Sequence, residues 1–272
     1  MLLQHIIDKI ESVVPLRWQE EWDNSGLQVG DRNAEIHAAL LAMDVTESVV
    51  NEAIIKGCDL ILSHHPLLFH PLKHLTGSTP QERCVEMAIR NHIAIYSSHT
   101  CMDAWQEGVS GRMAEMCGVH HYRVLAADKR YESDKVHGLG VIGMTEQPLA
   151  FGMLLQRIVD VFSTEGLRYV APINNKGLED ENQLVQRIAF CGGAGSGLLE
   201  EAIAAGADVY VSADFKYHEL QAAYTRIAVV DMDHWVSEQF TRDIFYELVN
   251  DSISCIESLS DRSPVHYWKK TK

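Results

Sequence analysis

The chain has 272 residues, enough for one large or two medium α/β units, and its 46% apolar and 22% charged content excludes a disordered chain. Lys and Arg number 23 against 38 Asp and Glu, a formal charge of −15. That balance argues against a nucleic-acid backbone as partner and suits a soluble cytoplasmic protein, or one that gathers cations. The 14 His are the unusual feature, and their placement carries the functional reading.

Leu3, Ile6, Ile7, Ile10 and Val13 space the apolar face of a first helix, with no basic leader before it. No apolar run approaches the ~20 residues of a membrane span. Trp18, Trp22, Asn24 and Gln28 follow, and we read them as packing between this helix and the first strand. Residues 36–43 form a near-continuous apolar run, the mark of a buried strand. Thr46 caps a helix that runs to about Lys56 and ends at Gly57. Leu60-Ile61-Leu62 is a second strand, 81–91 a helix, Ile93 to Tyr96 a third strand, and 104–117 a helix ending near Gly118. This alternation predicts a mainly parallel sheet with helices packed against it.

Residues 128–183 read as a small α+β segment, with a helix around 148–162 and a turn-rich loop from Asn174 to Asn182. Beyond it, Arg187 to Cys191 is a strand, 197–205 a helix, 208–212 a strand, 227–230 a strand and 234–249 a long helix. The six Cys lie in no CxxC pair and mostly within apolar runs, so buried thiols in a reducing compartment are expected. The short Lys269-Lys270-Thr271-Lys272 tail is too small for a nucleic-acid arm.

Two regions of the chain repeat each other. Residues 52–63 align with 201–212 at a constant offset of 149, with six of twelve positions identical: Glu52, Ala53, Ile54, Gly57, Asp59 and Ser63. Ile93-Ala94-Ile95-Tyr96 then aligns with Ile227-Ala228-Val229-Val230. Each of these strands leads to a His-x3-acid pair, His99 with Asp103 and His234 with Glu238. A duplication follows, with the pairs at corresponding strand ends.

Ligands of open α/β sheets sit beyond the carboxyl ends of the strands. Three such ends carry metal-type side chains: His64-His65, His99 to Asp103, and His234 to Glu238. His234 and Glu238 fall one helical turn apart on one side, away from the stripe Val236, Phe240, Ile244 and Leu248. Three or four imidazoles and two carboxylates exceed what one tetrahedral ion takes, so the set suggests two divalent ions with a bridging carboxylate. Mixed imidazole and carboxylate ligation suits zinc, iron, manganese, cobalt or nickel without choosing among them.

The combination of Glu21 to Gly30, Ser63-His64-His65-Pro66, His99 to Asp103, Gly206 to His218 and His234 to Glu238 resembles the NGG-interacting-factor-like proteins. Their members are often labelled GTP cyclohydrolase I type 2 homologues or dinuclear metal-centre proteins, and the resemblance spans nearly the whole chain. It implies an α/β fold of two related lobes with mixed, mainly parallel sheets, a dinuclear metal cleft between the lobes, and a ring-shaped homohexamer. We draw the lobes as 1–127, completed by 231–272, and 128–230. Carried over position by position, one ion takes His65, Asp103 and Glu238, and the other takes His64, His234 and Glu238, with Glu238 bridging. His99 matches a position near the metals, as a proton shuttle or as a hydrogen-bond partner of a ligand. The stretch Thr100-Cys101-Met102 departs from the family's usual Asn or Pro-Leu before the Asp, which leaves Cys101 as a soft ligand or a buried thiol.

Lys216 and His218 are candidates for substrate contact or for support of the metals. Gly192 to Gly197 leads from a strand into a helix and is either a phosphate-holding loop or a tight turn. The remaining nine His carry no assigned role, with His70 and His74 read as exposed. Two functions stay open. One is a metal-dependent hydrolase of a small molecule such as a nucleotide or other heterocycle. The other is a non-catalytic metal-handling or scaffold protein.

Overall fold

A computed structural model describes residues 1–130 and 136–268, so the Lys269–Lys272 tail lies outside the described residues. The chain divides into two compact units, Met1–Met102 with Gln239–Arg262, and Asp103–Glu238 with Ser263–Lys272.

The first unit opens with α1 (Leu3–Val13), whose Leu3, Ile6, Ile7 and Ile10 are buried along one face. Strands β1 (Gly26–Val29) and β2 (Ala38–Ala42) follow. Helix α2 (Glu47–Lys56) begins where the Thr46 side chain accepts from the Val49 N–H and ends at Gly57, whose φ of 67° an L side chain rarely adopts. Then come β3 (Leu60–Ser63), α3 (Pro80–Arg90), β4 (Ala94–Ser97) and the short α4 (Thr100–Ala104), within which the chain leaves this unit.

The second unit contains α5 (Val109–Met116), β5 (Tyr122–Ala127), β6 (Gly138–Ala150), α6 (Phe151–Phe162) and β7 (Arg168–Val170). It continues through β8 (Leu184–Ala194), α7 (Leu199–Ala204), β9 (Val209–Ala213), α8 (Tyr217–Ala223), β10 (Ala228–Met232) and α9 (His234–Glu238). The chain then returns to the first unit as α10 (Thr241–Val249) and β11 (Ser254–Glu257).

The first sheet has the order β1-β4-β3-β2-β11, parallel except for β1 at its edge. One face packs on α2 and α3 through Leu40, Val49, Ala53, Ile61, Ala88 and Ile95. The second sheet has the order β5-β6-β8-β9-β10-β7. Its β8, β9 and β10 are parallel, and β7 is antiparallel at the edge.

The duplication is visible in backbone register. Ala39 faces Leu60 across β2 and β3, and Ile188 faces Val209 across β8 and β9, each pair shifted by the same 149 positions. Leu60 faces Ala94, and Val209 faces Ala228, the two alanines that the sequence alignment superimposes. Asp59 and Asp208 perform the same task. Asp59 Oδ2 accepts from the His37 N–H at 2.7 Å, and Asp208 Oδ2 accepts from the Arg187 N–H at 2.8 Å, each fixing the start of the neighbouring strand. Gly57 and Gly206 both turn the chain out of a helix with positive φ. Two related α/β lobes with mixed, mainly parallel sheets are therefore present, sharing a four-strand core with one antiparallel edge.

Several boundaries differ from the sequence reading. The crossings between units lie at 102/103 and 238/239 rather than at 127/128 and 230/231. Tyr122–Ala127 goes with the second unit because it pairs with β6. The 128–183 stretch is not a separate small segment, since β6 lies between β5 and β8 within the second sheet. The 104–117 helix shortens to α5, Val109–Met116, because Trp105 bridges to His137 and the Gly108 N–H turns back onto the Trp105 carbonyl, which separates it from α4. The long 234–249 helix is likewise split into α9 and α10, and α10 buries Ile244, Phe245 and Val249. Strand β11, which extends the first sheet beside β2, was not anticipated. No helix among the described residues is long and apolar enough to cross a membrane.

Candidate metal centre

The first unit gathers three imidazoles at its strand ends. His64 and His65 follow β3, and His99 lies two residues past β4. Parallel pairing sets Ser63 opposite Ser97, so both strands end at the same level. The three ring centroids form a near-equilateral triangle with sides of 5.1, 5.3 and 5.4 Å. Each residue offers a donor atom within 4.8 Å of the others.

Each ring is oriented through Nδ1. His64 Nδ1 is 2.9 Å from the Ser98 carbonyl, His65 Nδ1 is 2.9 Å from Asp44 Oδ1, and His99 Nδ1 is 2.8 Å from Asp23 Oδ1. A carbonyl or carboxylate oxygen can only accept, so each Nδ1 carries a proton, and Nε2 is the atom a metal would take from the neutral form of the ring. Metal-binding histidines are held in this way by a partner behind the ring.

Asp23 is itself enclosed. Its carboxylate also accepts from Thr100 Oγ1 at 2.6 Å, the Thr100 N–H at 3.1 Å and Ser25 Oγ at 2.9 Å. Burial alone would raise its pKa, but the His99 hydrogen bond and charge, with the Thr100 and Asn24 donors, hold the carboxyl well below the usual range.

The second unit carries the acidic complement. Asp103 lies on α4, one turn after His99, and Glu238 ends α9; both are beside the points where the chain changes units. Their carboxylate oxygens lie within 4.8 Å of each other. His234 opens α9, with Nε2 3.1 Å from Glu238 Oε2 and Nδ1 2.7 Å from Asp214 Oδ2. Burial would lower the His234 pKa, but the Glu238 hydrogen bond and charge, joined by Asp214, push it up to about 9. A cation that binds Nε2 must therefore displace a proton. Cys191 is a buried thiol, pushed up to about 12 by burial and then by the Asp103 carboxylate, which keeps it protonated.

The glycine loop serves this cluster. The Gly193 N–H donates to Ser237 Oγ at 2.9 Å, and the Gly195 N–H donates to Ser212 Oγ at 3.0 Å. Protein oxygens occupy these donors, which disfavours a phosphate cradle and makes the loop a tight seat for α9. A Cβ on Gly193 would fall 3.1 Å from Glu238 Cδ and 3.3 Å from His234 Cε1, and closer still to Glu238 Oε1.

Other candidates have plainer surroundings. Lys216 and His218 are exposed at the start of α8, where the Lys216 N–H donates to Glu219 and His218 Nδ1 lies 3.3 Å from Gln221 Oε1. Cys101 is buried, with its thiol 3.1 Å from Ser98 Oγ. Trp18 is buried as expected, but Trp22 is 59% exposed and does not pack between helix and strand. The orienting carboxylates Asp23, Asp44 and Asp214 were missed by sequence reasoning. Asp44 and Asp214 lie just past the ends of β2 and β9, and the strand-end rule that selected the histidines would have found them.

A duplicated α/β protein with oriented imidazoles and carboxylates at its strand ends belongs to the class of candidate metal-binding proteins. Sequence comparison narrows the class: the profile of Duf34/NIF3 (NGG1p interacting factor 3) matches residues 1–262, and the chain belongs to that family. It is 32% identical over 274 residues to the GTP cyclohydrolase 1 type 2 homolog of Streptococcus pneumoniae serotype 4, covering 98% of this chain and 100% of the relative. It is 28% identical over 269 residues to the NIF3-like protein 1 of Drosophila melanogaster, covering 97% and 88%. Among solved structures, a Bacillus cereus protein related to NIF3 shares the fold, with a TM-score of 0.86 at 24% identity over 98% of this chain and 99% of that one. Reduced HcgD from Methanocaldococcus jannaschii superposes with a TM-score of 0.76 at 28% identity over 94% and 97%.

Proposed function

We propose that the two donor sets together hold two divalent ions and that the protein is a metal-dependent hydrolase of a small molecule. In this reading His64, His65, Asp103, His234 and Glu238 are ligands, with Glu238 bridging. The observation that carries the reading is the triad His64, His65 and His99, each ring fixed through Nδ1 by an acceptor. The placement of Asp103 and Glu238 at the chain's two crossings supports it. Such a pair of ions, when bound, supplies Lewis acidity and an acidified water near neutral pH.

The protein's own groups do the rest. His99 would take a proton at Nε2 from the attacking water and return it to the leaving group, while Asp23 holds Nδ1–H and balances the charge that forms. Asp214 holds Nδ1 of the His234 ring while Nε2 lies beside Glu238. The name carried by the streptococcal relative makes GTP one substrate to test beside phosphoesters, amides and cyclic amidines. His99→Ala is expected to abolish turnover and keep the metal. Loss of metal in that variant would make His99 a ligand. No turnover by metal-replete protein across the panel, with rapid metal transfer to apo-acceptors, would favour metal handling instead.

A further inference from the structure

The first unit carries two large aromatic side chains that its core does not use. Trp22 is 59% exposed and Phe69 is 39% exposed. Their ring centroids lie 5.9 Å apart at 60°. Both also meet His99, Trp22 at 6.0 Å and 71° and Phe69 at 6.3 Å and 73°. The rings therefore form a small apolar shelf that ends at the imidazole of a candidate metal-site residue.

The shelf is held from behind rather than by burial of the rings. Asn24 Nδ2 donates to the Leu68 carbonyl at 2.7 Å, and the Leu68 N–H donates to Gln28 Oε1 at 3.2 Å. Gln28 Nε2 donates to the Asn24 carbonyl at 2.7 Å, closing the clip. Next to Trp22, the enclosed carboxylate of Asp23 anchors the backbone to His99 and Thr100. Each exposed ring is thus one residue away from a fixed backbone point. Ordered apolar surface beside a few convergent polar groups is the composition of a small-molecule site. Two rings offer far less than the roughly 800 Å² per partner of a stable protein interface.

We propose that the exposed Trp22 ring, with Phe69 tilted 60° beside it as a side wall, forms a stacking subsite for a planar, π-rich heterocycle of nucleobase size next to His99. The proposal deepens the hydrolase reading and rests on it for the role of His99, but the stacking itself depends only on the two aromatic residues. A flat ring is favoured over an aliphatic chain because an exposed indole face gains most from another π face, and every nucleobase has one.

The test uses the full chain loaded with zinc and titrated with adenosine, with ribose as the ringless control, followed by calorimetry. Zinc content and oligomeric mass are measured for each variant. Adenosine is expected to bind the wild type and Trp22→Phe saturably, with affinity falling roughly ten- to a hundredfold in Trp22→Ala and less in Phe69→Ala. Ribose should not bind, and zinc content should stay constant. Equal affinity in Trp22→Ala and wild type, or no saturable adenosine binding to the wild type, overturns the proposal. A change of oligomeric mass in Trp22→Ala also overturns it, by making the rings an interface between chains. Adenosine binding that depends on Trp22 in a protein that takes up no zinc would sustain the subsite and refute the metal reading.

Discussion

Gly193→Ala changes no proposed ligand and should still dismantle the metal site. The new Cβ would lie 3.1 Å from Glu238 Cδ and nearer to Oε1 than real Cβ atoms come. Glu238 is 2% exposed, so it has no solvent into which to swing. Relieving the overlap takes a displacement on the order of 1 Å, given normal contact distances. Metal–ligand distances tolerate about 0.2 Å, so the bridging geometry is lost. The φ of 60° at Gly193 adds a backbone penalty of about 1–2 kcal/mol. Gly177→Ala is the matched control, because Gly177 has φ 73° and a Cβ there meets nothing within 4 Å. Gly177→Ala should lose a few degrees of thermal stability from its backbone strain alone, and Gly193→Ala more, because the overlap with buried Glu238 is added. Competition against a chromophoric chelator should show metal affinity at least roughly tenfold weaker in Gly193→Ala and unchanged in Gly177→Ala. Wild-type affinity in folded Gly193→Ala would refute the role given to Glu238.

Three further outcomes are expected. Glu52 accepts from Ser258 Oγ at 2.7 Å, the Leu259 N–H at 3.0 Å and the Ser260 N–H at 2.9 Å, so Glu52→Ala leaves three donors without their carboxylate. It should destabilise the first unit by about 3 kcal/mol, read as a lower urea midpoint, and an unchanged midpoint would show that the 258–260 segment adds no stability. Glu82 accepts from the Thr76 N–H and hydroxyl and from the Ser78 N–H, which lower its pKa to about 2 from an ordinary 4.5. Because the folded value is depressed, its contribution is complete above pH 4.5 and disappears as pH falls toward 2. The melting temperature of Glu82→Gln should therefore trail the wild type at pH 7, with the gap closing below pH 4; a gap independent of pH would contradict the assignment. Sedimentation velocity tests the ring that the sequence resemblance implies: a hexamer's mass is the expected result, and a monomer would rule that ring out.

The parts of the fold legible in the sequence were those with local causes. Thr46 and Gly57 bracket α2 through contacts with residues only a few positions away. The repeated Gly-x-Asp before β3 and β9 marked the duplication because the same backbone task recurs in both units. The gathering of His64, His65 and His99 at strand ends was legible because strand ends are where such sheets bind ligands. What escaped depends on distant partners. Strand β11 is a short, half-buried segment defined by pairing with β2, more than 200 residues earlier. The break between α9 and α10 coincides with the return of the chain to the first unit, which helical periodicity does not register. Asp23 reaches His99 across 76 positions, and no spacing rule connects them. Trp22 was assigned to packing because apolar character alone does not distinguish a core ring from one held in solvent.

In the proposed metal centre one pair of ions is shared through Glu238. Elemental analysis of the purified full chain and of Glu238→Ala, each at matched concentration and confirmed folded, tests it most directly. The wild-type chain is expected to hold about two divalent ions, and the variant sharply fewer. Unchanged occupancy in Glu238→Ala, or a wild-type chain that retains no metal after metal-replete purification, would contradict it.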